Sequence, residues 1–173
     1  QTAYDGGTSA LRYPRGEGVG VEIPDQPQVL DIGKGRIVKQ GSTVAILSLG
    51  TRLADSLAAA EKLEAQGFST TVADARFAKP VDEALVLDLA AKHSVLITVE
   101  ENAIGGFQAQ VMKVLTDHDA LSNELKVRTL TMPDAFIDHD SQGKQNAMAG
   151  LDAASIVKAA FDCLGQQNAT AVV

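Results

Sequence analysis

Two arginines flank a Tyr-Pro step in the stretch SALRYPRGEGVG, residues 9–20. Pro14 fixes its own φ and pushes Tyr13 towards an extended conformation, so no helix can start there. Ser9, Ala10 and Leu11 read as the end of a buried strand, and Gly16, Gly18 and Gly20 permit turns beyond it. Arg15 then stands where a strand gives way to a flexible exit. A guanidinium on such a backbone is suited to grip a phosphate or carboxylate through two parallel hydrogen bonds. The same residues also suit two ordinary surface arginines, and the local pattern leaves both readings open.

The remaining chemistry-bearing residues are dispersed. Glu100 and Glu101 are adjacent in LITVEENAIGGF. Neighbours on a strand point to opposite faces, so the two cannot work on one substrate as an acid–base pair. One of them faces the crevice at the carboxyl end of the sheet, where α/β proteins bind ligands. The competing reading is a helix-capping carboxylate or an interdomain salt bridge. ENAIGGF follows a strand and opens a helix, so its backbone N–H groups could receive an anion. It lacks the Lys and Ser/Thr of a nucleotide site, and a glycine turn that lets the helix pack closely accounts for it as well. Arg76, in DARFAKPVD, ends another strand and reads as an ion-pair partner. His93, His118 and His139 are scattered, and none is set beside a serine or cysteine nucleophile. His139 falls in DAFIDHDS, which reads as a loop. Cys163 lies near an apolar stripe and reads as a packing residue. No catalytic constellation, cofactor motif or metal-ligand spacing emerges from the residues themselves.

The elements that must position these groups are clearer. TVAILSLG, FSTTVADA and SVLITVEE are apolar runs of the kind buried on both faces of a sheet, and KVRTLTMP is a further strand. Between them, Leu53, Leu57, Ala60 and Leu63 share one helical face, with Thr51 as the expected cap and Gly67 as the stop. Pro80 and Asp82 open a second helix that closes on Lys92 and His93. Phe107, Val111, Val114 and Leu115 mark a third, and Asp152 caps a last one. Strands alternating with helices predict a three-layer α/β/α sandwich around a mostly parallel five-stranded sheet. IPDQPQVLDIGKG, with two prolines and two glycines, reads as a linker.

Bulk properties exclude some functions. The chain has 173 residues, 45% of them hydrophobic, with net charge −7 and pI near 4.9. That balance argues against a nucleic-acid surface, which needs clustered Lys and Arg. No apolar run is long enough to span a membrane. A single cysteine makes no internal disulfide, and the composition fits a reducing, cytoplasmic setting. The first residue is Gln, which leads to the expectation that residues precede it in the parent protein.

SALRYPRG, IGKGR, VADARFAKPVD, LITVEENAIGGF, PDAFIDHDS and GLDAASIV occur in order. Together they resemble the 1-deoxy-D-xylulose-5-phosphate synthases of the transketolase family, from about Asp5 to Gly165. The RYPRG and RFAKP pair separates that resemblance from transketolase itself and from 2-oxo acid dehydrogenase β subunits. It implies a parent with diphosphate-binding, pyrimidine-binding and C-terminal domains. By it, residues 1–22 hold the last strand of the pyrimidine-binding domain. Residues 23–40 are linker and first strand, 41–165 the transketolase-type C-terminal domain, and 166–173 a frayed tail. One strand of such a domain is antiparallel, and GRIVK is the candidate.

The resemblance further implies an enzyme that condenses pyruvate with glyceraldehyde 3-phosphate, with loss of CO2, using thiamine diphosphate and Mg²⁺. Its product feeds isoprenoid and thiamine or pyridoxal synthesis. Homodimerisation is implied too. Arg15, the second arginine of RYPRG, would contact the substrate phosphate. No cofactor is expected on this chain alone, which carries none of the family's cofactor or active-site histidine motifs. One departure is GGFQAQ, where the family more usually has a third small residue after Phe107, so no ligand role passes to Gln108. The rival reading is a freestanding α/β binding or regulatory module that docks a partner or effector at its sheet crevice. The C-terminal domain of another transketolase-family enzyme is a further alternative.

Overall fold

A computed structural model describes residues 6–13, 20, 22, 24–122 and 124–165. The chain divides into two units, residues 1–32 and 33–173. In the first unit, residues 6–13 are exposed and form no strand, with Leu11 and Tyr13 about four-fifths accessible. Ser9–Leu11, expected to end a strand of a sheet whose other strands lie outside this chain, form no strand in the chain taken alone. A lone extended segment has no ladder to satisfy its backbone groups. Arg15 and the tail 166–173 lie outside the described residues.

The second unit holds a five-stranded sheet built of β1 (Arg36–Lys39), β2 (Val44–Leu49), β3 (Thr70–Asp74), β4 (Val95–Glu100) and β5 (Lys126–Leu130), in the order β1-β3-β2-β4-β5. All neighbours are parallel except β1, which pairs antiparallel with β3 through a register shift between Ile37 and Lys39. GRIVK is thus the antiparallel strand, as its place in the resemblance implied. Helices α1 (Leu53–Glu64) and α5 (Ala153–Leu164) cover one face; α2 (Glu83–Lys92) and α3 (Phe107–Asp117) cover the other. Alternation along β2 explains why both faces are apolar. Val44 and Ile46 meet Leu63, Ile156 and Phe161, while Ala45 and Leu47 meet Leu89, Phe107 and Val111. A short helix, α4 (Gln142–Met148), lies between β5 and α5 and was not anticipated. Among the described residues no helix is long and apolar enough to cross a membrane.

The amino-end side of the sheet is tied by a buried polar chain. His93 Nδ1 donates to the Leu89 carbonyl at 2.9 Å, because a carbonyl can only accept. Nε2 shares a hydrogen bond with the Thr71 hydroxyl at 2.7 Å, and the Thr71 oxygen accepts from the Gly41 N–H at 2.8 Å. The turn between β1 and β2 is thereby fastened to β3 and to the end of α2. Gly41 has no room for a side chain: a Cβ there would sit 2.3 Å from the backbone carbon of Thr70. We expect Gly41→Ala to lower stability by at least about 2 kcal/mol, since backbone must shift to relieve the overlap. Chemical denaturation of the purified variant measures it. Stability within about 0.5 kcal/mol of the parent, as for an ordinary surface change, would contradict that packing.

Candidate functional site

The carboxyl ends of the parallel strands form the face where α/β sheets take ligands. Its centre is the gap between β2 and β4. The chain leaves β2 for α1 on one face and leaves β4 for α3 on the other, so adjacent loops diverge there. Gly50–Arg52 form a 3₁₀ turn after β2, and Glu101 and Asn102 follow β4. Thr51 does not cap α1 as expected: the intervening 3₁₀ turn makes Arg52 the residue before the helix, without a side-chain cap. Thr51 Oγ1 instead donates to Glu101 Oε2 at 2.8 Å.

That bond belongs to a small ionic network across the gap. The Arg52 guanidinium is nearly buried, with Nη1 2.9 Å from Asp55 Oδ2 and Nε 3.4 Å from Glu101 Oε2. Glu101 is therefore the salt-bridge carboxylate, and the bridge spans the gap between the two loops. Glu100 has the other role weighed for this pair. Its carboxylate is 1% exposed and accepts from the N–H groups of Phe107 and Gln108, both at 2.8 Å. The side chain of a strand residue thus caps α3, whose N-cap is Gly106. A Cβ on Gly106 would meet Glu100 Oε2 at 2.6 Å, so the glycine makes space for the carboxylate.

Own-chain carboxylates also serve the starts of α2 and α5. Asp82 Oδ1 accepts from Leu85 N on α2, and Asp152 Oδ1 accepts from Ser155 N on α5. Asp82 Oδ2 also accepts from Gly35 N at 3.1 Å, which fixes the approach to β1. The positive ends of α2, α3 and α5, of the kind that attract phosphates elsewhere, are thereby filled from within. Arg76 is at the edge of the face, 4.0 Å from Asp74, whose carboxylate also holds Arg36 at 3.1 Å. It is an ion-pair partner, as its position suggested.

The remaining sequence candidates do not converge. His93 is buried in the polar chain at the other end of the sheet. His118 lies 3.5 Å from Glu83 on the exposed side of α2 and α3, and His139 is exposed in the loop before α4. Cys163 is buried, and burial pushes its thiol above the usual cysteine range, leaving it a poor nucleophile at neutral pH. Among the described residues no group of three or more His, Cys, Asp or Glu could hold a metal ion. The helix start at Gly106, which the sequence offered to an anion, holds Glu100 instead. Sequence reasoning did not single out Arg52, because a polar residue after a buried strand carries no signal of its own burial.

The family described as Transketolase, C-terminal domain matches residues 33–156. Among solved structures, the chain is similar to one described as a split gene transketolase, inactive beta4 tetramer. Identity is 29% and the TM-score 0.71, over 80% of this chain and 45% of that one. It is also similar to a mutant transketolase from Pichia stipitis, at 13% identity and a TM-score of 0.55, over 77% of this chain and 18% of the other. The second likeness shows the fold alone. This chain spans less than half the length of either structure.

Proposed function

We propose, from the premise that this chain belongs to the transketolase C-terminal domain family, that it is the C-terminal part of a 1-deoxy-D-xylulose-5-phosphate synthase. The observation that carries the finer reading is the RYPRG and RFAKP pair, in register with four further strings of that enzyme. In this reading the enzyme joins pyruvate to glyceraldehyde 3-phosphate with loss of CO2. Thiamine diphosphate, bound elsewhere in the enzyme, supplies the electron sink for that step.

The work of this chain is structural and substrate-binding. Residues 1–22 supply the last strand of the pyrimidine-binding domain, and Arg15 holds the acceptor phosphate. The α/β unit is a prefolded body in which Arg52 and Glu101 form an ion pair across the ligand-type crevice. That ion pair weighs against the rival reading of an effector-binding module. The enzyme is placed in the cytoplasm, in keeping with the single buried thiol, and acts as a homodimer.

Isotope release tests this reading. With the full-length enzyme, CO2 should leave carboxyl-labelled pyruvate in step with added glyceraldehyde 3-phosphate. A mixture of ketose phosphate and aldose phosphate without pyruvate should give no transfer. Efficient ketose–aldose exchange with no use of pyruvate would assign the chain to another branch of the family.

A further inference from the structure

Resting on that reading, we propose that the loops at the carboxyl end of the sheet form a docking surface for the rest of the enzyme, the polypeptide that binds the diphosphate, with Phe136 as its anchor. Phe136 is fully exposed and Ile104 is 69% exposed. They lie on the loops after β5 and β4, which are joined by Met132 N donating to Asn102 O at 2.9 Å. The Phe136 loop is also fastened to α4: Gln145 Nε2 donates to Asp138 O at 3.0 Å. An aromatic exposed to water gains its hydrophobic free energy only when another surface covers it, and a loop backbone tied by hydrogen bonds has less freedom to lose on docking.

Charge selects the kind of partner. Asp134, Asp138 and Asp140 flank Phe136, and all three are exposed. Lys144 pairs with Asp140 at 3.3 Å, whereas Asp134 and Asp138 make no ion pair among the described residues. The surface therefore fits an apolar pocket bordered by Lys or Arg. A second copy meeting it face to face would set acidic rims against each other, on a chain of net charge −7. A polypeptide that binds a diphosphate and a phosphorylated substrate supplies basic groups. The 45% coverage of the split-gene transketolase chain shows that a relative carries more polypeptide than this unit.

Hydroxyl-radical footprinting read by mass spectrometry tests the proposal on the 173-residue chain and on the full-length enzyme. Oxidation of Phe136 should fall by about tenfold or more in the full-length enzyme, as for the core of a protein interface. Leu121, exposed at the opposite end of the sheet, is the control and should change little. Phe136→Asp should leave the melting temperature of the isolated chain within about 2 °C and lower that of the full-length enzyme by about 4 °C or more. Equal labelling of Phe136 in both proteins, or equal melting shifts, overturns the surface. Protection already present in the isolated chain, together with dimers in sedimentation, assigns it to a second copy and also overturns the proposal. Protection in an enzyme that does not use pyruvate leaves the surface standing and removes only the assigned reaction.

Discussion

Glu100→Ala destabilises the α/β unit by about 3–5 kcal/mol in denaturant unfolding, combining a lost charged cap with a new cavity. Both carboxylate oxygens are in use, each accepting one N–H from the first turn of α3 at 2.8 Å. Those N–H groups have no intrahelical acceptor, and Gly106 has no side chain to offer one. Removing the carboxylate leaves two donors in a buried place, where unpaired polar groups are costly. It also removes a negative charge from a positive helix end. Glu100→Gln separates these terms. Its single oxygen serves one N–H while its amide faces the other, so about half the loss is expected. Gly106→Ala should resemble Glu100→Ala, because the added methyl displaces the same carboxylate. Glu101→Ala should cost much less, since its carboxylate stays about one-third exposed beside Arg52.

If the proposed function holds, Arg15→Ala should lower kcat/KM for glyceraldehyde 3-phosphate by about ten- to a hundredfold in the full-length enzyme. A two-pronged hydrogen bond to a charged oxyanion is worth roughly 1.5–3 kcal/mol. The use of pyruvate in the first half of the reaction should change far less, because the contact is made only with the acceptor. Arg15→Lys should recover part of the loss, as an ammonium keeps the charge but cannot form the parallel pair. Arg12 is the control: its loss should act on stability more than on the acceptor. Steady-state kinetics in both substrates separate these outcomes. Equal damage to pyruvate and acceptor would return Arg15 to the rank of a surface arginine.

The parallel core was legible because β2 and β4 are buried on both faces, which gives largely apolar runs such as VAILSL and VLITVE. Helices α1, α3 and α5 were legible from their apolar stripes, and α2 from Pro80 and Asp82 at its start and Lys92 and His93 at its end. α4 was not: QGKQNAM has no such stripe, and it follows a loop rich in Asp. The Thr51 cap failed for a related reason. A hydroxyl before an apolar stripe is the usual signal for a cap, but Gly50 allowed a 3₁₀ turn that moved the helix start to Leu53. The cap was among the roles weighed for the two carboxylates; the ion pair weighed was interdomain, whereas Glu101 pairs with Arg52 of its own unit. Which was which depended on the turn at Gly106 and on the loop after β2. Those contacts join residues far apart in the chain, and a local pattern does not carry them.

In the proposed function, Arg15 is the phosphate grip of an enzyme that uses pyruvate and a phosphorylated aldehyde. The most direct measurement is the ratio of kcat/KM for glyceraldehyde 3-phosphate to that for unphosphorylated glyceraldehyde, with pyruvate as donor, in the full-length enzyme and its Arg15→Ala variant. The account predicts a strong preference for the phosphorylated acceptor that shrinks by about ten- to a hundredfold in the variant, while the unphosphorylated reaction stays nearly constant. An unchanged ratio, or no reaction of pyruvate with either aldehyde, would contradict it.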